Sequence, residues 1–131
     1  MGITGQRSSP DEKLISAIRS NNPTEKDLIL LDARPIVNAI GNKAALGAGF
    51  ESSSHYGKAL KIKFLGIENI HVMRASQEKI YQACTKEESS WYGALEVWMN
   101  HIQTILVSAK KTAKLLQEGY SVVIHCSDGF V

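Results

Sequence analysis

The sequence has few cysteines and little excess charge, and both shortages exclude classes of protein. Only 2 of its 131 residues are cysteines, and no other Cys or His stands beside them at zinc-finger spacing. Neither a disulfide framework nor a structural zinc site is therefore expected. The 15 basic and 13 acidic residues leave a formal charge of +2, too little for a surface that binds nucleic acid by releasing counterions. Nucleic acid is not an expected partner.

Long apolar runs are also missing. No stretch approaches the roughly 18 apolar residues that cross a bilayer, and residues 1–7 lack the apolar region of a secretory signal. With 44% hydrophobic and 21% charged residues, the composition is typical of one globular domain at most. The sequence thus predicts a cytoplasmic protein in which both cysteines, Cys84 and Cys126, are free thiols.

The first half of the chain alternates between helix and strand patterns. Ser9-Pro10-Asp11-Glu12 predicts a helix start, with Ser9 as N-cap and Glu12 reaching back to its amide. The run from Asp27 to Leu31 is apolar at residues 28–31 without alternation, which predicts a strand covered on both faces. A short helix should open at Pro35, a half-exposed strand should span residues 60–65, and a helix should span residues 76–83.

The second half begins with a long amphipathic pattern. Apolar residues recur at helical spacing from Trp91 to a C-cap at Gly119, which predicts one helix of about 40 Å with Trp91 and Trp98 in its core. Residues 120–124 are β-branched and apolar, as in a central parallel strand. Helices that alternate with buried strands indicate an α/β architecture.

Cys126 follows this last predicted strand and precedes the turn-forming residues Ser127-Asp128-Gly129. Ligands of open α/β sheets bind at the carboxyl edge of the strands. A loop whose N–H groups converge there could bind a phosphate and favour the thiolate of Cys126 as a nucleophile. Taken alone, however, a cysteine at the end of an apolar strand is more often a small buried hydrophobe.

The residues around Cys126 resemble a known family. His125-Cys126-Ser127-Asp128-Gly129 resembles the opening of the signature His-Cys-Ser-Asp-Gly-Trp-Asp-Arg of the myotubularins, lipid phosphatases of the cysteine-dependent tyrosine-phosphatase superfamily. Further segments that resemble the family are Asp32-Ala33-Arg34-Pro35, the Gly-rich residues 47–51, Ile67-Glu68-Asn69-Ile70-His71-Val72-Met73-Arg74 and Trp98-Met99-Asn100-His101-Ile102. The resemblance covers essentially the whole chain.

The resemblance implies a partial myotubularin-type phosphatase domain over residues 1–131, truncated at both ends. The expected fold is α/β, a fragment of a tyrosine-phosphatase-like fold with a central mixed sheet flanked by helices. The parent protein would remove the 3-phosphate from phosphatidylinositol 3-phosphate and 3,5-bisphosphate without a cofactor or metal. It would be cytoplasmic and associate peripherally with endosomal membranes, and it would form homo- or hetero-oligomers with other myotubularins.

The resemblance also assigns site residues. Cys126 corresponds to the nucleophile. The positions that would bind the substrate are Asn42, Asn69, Ile70, Ser127, Asp128, Gly129, Phe130 and Val131.

Each of these roles has a simpler alternative. Asn42 and Asn69 suit helix or turn caps equally well, and their spacing alone favours caps. Asp128 either positions water or carries a proton, or is an ordinary turn residue before glycine. His125 either holds the loop by a hydrogen bond or is a satisfied core histidine. Three basic side chains either raise the local positive potential or are simply solvated: Arg34, Lys43 and Arg74.

Three departures from the family pattern bear on activity. Phe130 replaces a tryptophan, Val131 stands where the family has an acid, and the arginine expected six positions after Cys126 would lie beyond residue 131. Because one transition-state donor is worth about 10²–10³ in rate, the 131-residue chain is expected to be inactive and to expose apolar surface. A pseudophosphatase or regulatory module that binds lipid or a partner is the main alternative, and a phosphotyrosine phosphatase is a third.

Overall fold

The structure is a computed structural model that describes residues 7–46, 53–57, 60–85 and 91–126, without the side chains of residues 42–46. In these ranges it has an α/β fold with five helices and three strands. The helices are α1 (Ser9–Ser20), α2 (Ile36–Leu46), α3 (Ser53–Tyr56), α4 (Ile70–Thr85) and α5 (Trp91–Gln117), and the strands are β1 (Leu28–Asp32), β2 (Leu60–Phe64) and β3 (Ser121–His125).

The three strands form one parallel sheet in the order β2-β1-β3. Helical connections join them, as parallel strands require. The strands are level at their carboxyl ends, where Asp32 lies opposite both Phe64 and His125. The expectation of a mixed sheet is therefore wrong for the described strands. The prediction of a central position for the last strand is also wrong there, because β1 occupies the centre and β3 an edge.

The predicted burial of the first strand is confirmed, since every residue of β1 is buried. On one face, Leu28 and Leu30 pack with Ile15 and Ile18 of α1. On the other face, the core contains Ile29, Leu31 and Leu115, the last of them from α5. Burial on both sides explains the unbroken apolar run, because neither face of the strand meets water.

Helix α1 begins one residue away from the predicted cap. The hydroxyl of Ser8 accepts a hydrogen bond from the Asp11 amide at 3.4 Å, so Ser8 is the N-cap instead of Ser9. The Glu12 carboxylate does not reach back to the Ser9 amide as predicted. It instead accepts two hydrogen bonds from the Arg7 guanidinium, at 2.8 and 2.7 Å.

Of the two long helices, α4 is longer than predicted and α5 matches its prediction. α4 begins at Ile70 and not at residue 76, because Asn69 caps it. α5 runs as predicted and ends before Gly119, whose φ is +85°. The prediction that Trp91 is a core residue is wrong, since the side chain is 43% exposed, whereas Trp98 is half-buried.

Several helices present large apolar side chains to solvent. Ile124 of β3 is 52% exposed, but most of the exposed apolar residues lie on α2, α4 and α5, and they include Ile36, Val37, Ile40, Val72, Tyr81, Tyr92, Val97, Met99, Leu106 and Val107. The expected exposure of apolar surface is therefore found chiefly on helices. None of the helices in the described ranges is long and apolar enough to cross a membrane.

Candidate active site

Cys126 is the first residue after β3; the residue is partly exposed and forms no disulfide. β3 pairs with the central strand, so Cys126 lies at the carboxyl edge of the sheet beside the end of β1. The predicted placement of this cysteine at a strand end is therefore confirmed. The second cysteine, Cys84, is exposed on α4 and belongs to no strand.

The residues just after β1 join the ends of all three strands. The Ala33 amide donates a hydrogen bond to the His125 carbonyl at 2.8 Å. On the opposite side, the Leu65 amide donates to the Asp32 carbonyl, and the Ile67 amide donates to the Ala33 carbonyl, both at 2.8 Å. The exit of β1 therefore holds the backbone that leads into Cys126 and the backbone that leaves β2.

A buried ion pair shapes this exit. The Arg34 guanidinium donates to both carboxylate oxygens of Asp32, with Nε to Oδ1 at 2.9 Å and Nη2 to Oδ2 at 2.6 Å, and the Arg34 amide also donates to Oδ1 at 3.1 Å. The Arg34 side chain is only 14% exposed, and that of Asp32 only 1%. Arg34 is thus neither the uncompensated cation nor the solvated side chain that the sequence suggested, because a carboxylate within the fold offsets its charge.

One ring nitrogen of His125 makes a hydrogen bond, and the other has no hydrogen-bond partner among the described residues. Its Nδ1 lies 3.2 Å from the Cys126 carbonyl, and since a carbonyl can only accept, Nδ1 must be the donor. This contact is to the adjacent residue, and the interpretation that His125 holds the loop stays a prediction, because residues 127–131 lie outside the described residues. Its Nε2 is buried and has no hydrogen-bond partner among the described residues, so His125 is not a satisfied core histidine.

An open cavity of about 180 Å³ adjoins His125 on the face of the sheet that α1 covers. Its other lining residues are mostly apolar: Asp11, Leu14, Ile15, Leu30, Tyr56 and Val123. Within the described ranges, no group of three or more His, Cys, Asp or Glu side chains could hold a metal ion.

Asn69 and Ile70 follow β2, on the same edge of the sheet as Cys126. The Asn69 Oδ1 accepts hydrogen bonds from the amides of His71 and Val72, at 2.9 and 3.1 Å, so its interpretation as a cap is confirmed. Ile70 is 54% exposed. Asn69 is exposed as well.

The remaining predicted site residues are described in part or not at all. Asn42 lies in α2, but its side chain and that of Lys43 are outside the described residues, and Arg74 is exposed on α4. The predicted phosphate loop, residues 127–131, also lies outside them. Sequence reasoning missed the Asp32–Arg34 pair, for which the only signal was an Asp-x-Arg sequence directly after a buried strand.

The fold and the site define a structural class, an α/β protein with parallel strands and a partly exposed cysteine at their carboxyl edge. A family model described as the myotubularin-like phosphatase domain matches residues 1–130. The chain belongs to this family.

Named relatives agree with the family match. The chain is 42% identical to myotubularin from Xenopus tropicalis in an alignment of 135 positions that covers 99% of this chain and 22% of that protein. It is 44% identical to phosphatidylinositol-3,5-bisphosphate 3-phosphatase MTMR2 from Mus musculus (99% of this chain, 21% of that protein). It is 40% identical to phosphatidylinositol-3-phosphate phosphatase MTMR7 from Mus musculus (92% and 19%). The chain thus spans about a fifth of these relatives.

Proposed function

We propose that this chain is the nucleophile-bearing part of a phosphoinositide 3-phosphatase domain with a tyrosine-phosphatase-like fold. Phosphatidylinositol 3-phosphate and 3,5-bisphosphate are the proposed substrates, in keeping with the names of the relatives. The structural observation that carries the proposal is the position of Cys126, a partly exposed cysteine directly after a parallel strand. Ligands of open α/β sheets bind at this edge.

The proposed reaction has two steps. The Cys126 thiolate attacks the phosphorus of the 3-phosphate in line, the bond from phosphorus to the inositol oxygen breaks, and that oxygen takes up a proton from an acid. Water then attacks the cysteinyl-phosphate, which releases inorganic phosphate and restores the thiolate. In the first step, backbone N–H groups of residues 127–130 would hold the phosphoryl oxygens.

The inositol headgroup is proposed to lie against Asn42, Asn69, Ile70 and Val131. Because the Asn69 Oδ1 already accepts two backbone hydrogen bonds, a contact from Asn69 to an inositol hydroxyl would come from its amide nitrogen. Capping and headgroup binding are therefore compatible in one side chain. This gives Asn69 a role that can be tested separately from its effect on α4.

The family also supports proposals about location and partners. Because the proposed substrates are membrane lipids, we propose that the parent protein is cytoplasmic and contacts endosomal membranes peripherally. Oligomers with itself or with other myotubularins are a further proposal. These statements rest on family membership, and sedimentation with vesicles that contain phosphatidylinositol 3-phosphate tests the membrane contact directly.

The proposed activity is tested in the full-length parent protein. Phosphate release from short-chain phosphatidylinositol 3-phosphate and 3,5-bisphosphate should fall by a factor of at least about 10³ in Cys126→Ser, because the attacking thiolate is lost. Cys84→Ser is the matched control and should retain the wild-type rate, since Cys84 lies on α4 away from the sheet edge. The 131-residue chain by itself is expected to release no phosphate.

Each other result points to a different function. Binding of the lipid without phosphate release by the wild-type parent would identify a pseudophosphatase or regulatory module. Faster release from phosphotyrosine peptides than from phosphoinositides would identify a protein phosphatase. Full activity of Cys126→Ser would exclude Cys126 as the nucleophile.

A further inference from the structure

We propose that Asp32 and Arg34 are a positioning pair that fixes the backbone of His125 and Cys126 for phosphoryl transfer. The proposal rests on the proposed function, because it assigns these two residues to the same reaction. Neither side chain is proposed to touch the substrate. They act through the turn that they shape.

The pair determines the conformation of the chain where it leaves β1. One carboxylate accepts three hydrogen bonds from a residue two positions later, from Nε, Nη2 and the amide of Arg34. Charge-assisted, two-pronged pairs of this kind are strongly directional. With the Arg34 side chain 14% exposed and that of Asp32 1% exposed, water competes weakly for these groups, so the turn is held in one geometry.

A backbone hydrogen bond connects the turn to His125, the residue before Cys126. Ala33, which lies between the paired residues, donates its amide to the His125 carbonyl at 2.8 Å. His125 in turn bonds the Cys126 carbonyl through Nδ1. The route from the ion pair to the peptide units on both sides of Cys126 therefore consists of contacts between neighbouring groups.

The same turn is held from the opposite side. The Leu65 and Ile67 amides donate to the carbonyls of Asp32 and Ala33 at 2.8 Å, and the Gly66 amide donates to the Arg34 carbonyl at 3.3 Å. A change in the turn therefore alters its contacts with the exits of both β2 and β3. This makes the pair a link between the segment that leads to Asn69 and the segment that leads to Cys126.

Arg34 is poorly suited to bind the phosphate directly. The Nε and Nη2 groups, which form the planar fork that grips phosphate or carboxylate in other proteins, already donate to Asp32. Releasing this edge of the guanidinium to a substrate would leave a buried carboxylate without its partner, which is costly. A role in positioning uses the contacts as they stand.

Positioning predicts a particular kinetic effect. A misplaced attacking atom slows the chemical step far more than it weakens binding. In the full-length parent, Arg34→Lys keeps the charge but loses the fork, and it should lower kcat by about 10- to 100-fold while KM changes by less than about threefold. A residue that bound the substrate equally in the ground and transition states would instead raise KM.

The matched control is the Asp27–Lys61 ion pair, which lies where the strands begin, at the end of the sheet opposite to Cys126. It also links β2 to the β1 region, at 2.8 Å, but its Lys61 and Asp27 side chains are 56% and 36% exposed, and it lies far along the strands from Cys126. Asp27→Asn should leave kcat and KM at their wild-type values. An equal loss of kcat in this variant would show that any weakened ion pair in the sheet slows the reaction.

A second experiment needs no phosphatase activity and uses the 131-residue chain. In a Cys84→Ala background, iodoacetamide reports on Cys126 alone, because these are the only two cysteines. Arg34→Lys should change the alkylation rate constant of Cys126 by about threefold or more at one or more pH values, and it should speed hydrogen exchange at the Ala33 amide. Asp27→Asn should change neither.

Loss of folding is controlled by a double variant. Asp32→Asn with Arg34→Gln removes both charges, so that no buried charge is left unpaired. It should recover much of the thermal stability lost in the single variants, while kcat stays low. If kcat recovers together with stability, or if alkylation and amide exchange match wild type in Arg34→Lys, the pair is only structural and the proposal fails.

The outcomes also separate this proposal from the proposed function. A wild-type parent that releases no phosphate contradicts the proposed function, and the alkylation and exchange measurements still decide whether the pair positions Cys126. A normal kcat with a raised KM in Arg34→Lys would show that Arg34 binds substrate, which overturns the positioning role. An active parent with an unaffected Arg34→Lys variant overturns the positioning role alone.

Discussion

The amino edge of the sheet, where its parallel strands begin, and the carboxyl edge, where they end, are held in different ways. At the amino edge, the side chains of Asn22 and Thr24 donate to the Gly119 carbonyl, at 3.1 and 2.5 Å, and Lys26 donates to the Glu118 carbonyl and lies over the Tyr120 ring at 4.8 Å. These contacts join the turn between α5 and β3 to the segment before β1. Asn22 is buried, whereas Thr24 and Lys26 are exposed.

The carboxyl edge contains a buried ion pair and a buried ring nitrogen without a hydrogen-bond partner among the described residues. Asp32 and Arg34 are almost completely buried, and the adjacent His125 Nε2 is buried without a partner among the described residues. Buried polar atoms are normally satisfied, and the described residues include three further exceptions: His55 Nδ1, Ser76 Oγ and His101 Nε2. The proposed function assigns a site to the carboxyl edge, whereas the contacts at the amino edge have no proposed role beyond the fold.

Asp32→Ala, at the carboxyl edge, should destabilise the chain more than any substitution at the amino edge. It leaves the Arg34 guanidinium, 14% exposed, without its carboxylate, and breaking a buried pair in this way costs about 3–5 kcal/mol. Urea denaturation of the 131-residue chain measures the loss. A loss below about 1 kcal/mol would show that the Asp32–Arg34 pair contributes no more to stability than an exposed ion pair does.

Gly119→Ala tests the amino edge and should have a smaller effect. Gly119 has a φ of +85°, and an added Cβ would stand 2.9 Å from Cγ2 of Thr24. The left-handed conformation alone costs a non-glycine residue roughly 1–2 kcal/mol. Gly93→Ala is the control, because Gly93 lies in α5 with open space around it, and its replacement should be neutral or stabilising. Equal melting temperatures for the two variants would contradict the prediction.

Replacing Asn69 should have a moderate effect and separates its two proposed roles. Asn69→Ala removes the cap of α4 and should cost about 1 kcal/mol. Asn69→Ser keeps a capping oxygen but lacks the amide nitrogen, so stability should be largely retained. In the full-length parent, a raised KM in Asn69→Ser would support contact with the headgroup, and an unchanged KM would leave Asn69 as a cap alone.

The smallest effect is expected from the Asp27–Lys61 pair at alkaline pH. The hydrogen bond from Lys61 to Asp27, and then the charge of Asp27, raise the pKa of Lys61 above its ordinary 10.5. The stabilisation is therefore complete below pH 10.5 and disappears as pH rises through the higher pKa of the folded state. The stability difference between wild type and Asp27→Asn should shrink over that range, and a difference that stays constant would contradict this assignment.

Much of the fold follows from local sequence patterns. The unbroken apolar run of β1 predicts burial on both faces, and the long periodic stretch after Trp91 predicts α5, because both signals repeat over many residues. The start of α4 is harder to predict because its first turns have little apolar periodicity and most of their side chains are exposed. The single residue that defines the start, Asn69, is recognisable only as one of several caps.

Long-range arrangement is harder to predict. The apolar, β-branched sequence of β3 is compatible with a central or an edge strand, and only pairing decides between them. The Asp32–Arg34 pair escapes prediction because Arg34 lies beyond the strand end and folds back onto a residue of the strand. The strand-end position of Cys126 is predictable because it depends only on the length of the preceding apolar run.

The strand order has a consequence for the order of assembly. β1 is synthesised well before its neighbour β3, and the contact between Asn22 and Gly119 joins residues 97 positions apart. Such distant closure slows folding, and synthesis proceeds at about 5–20 residues per second. The nascent β1 therefore spends several seconds with the side that β3 later covers unpaired.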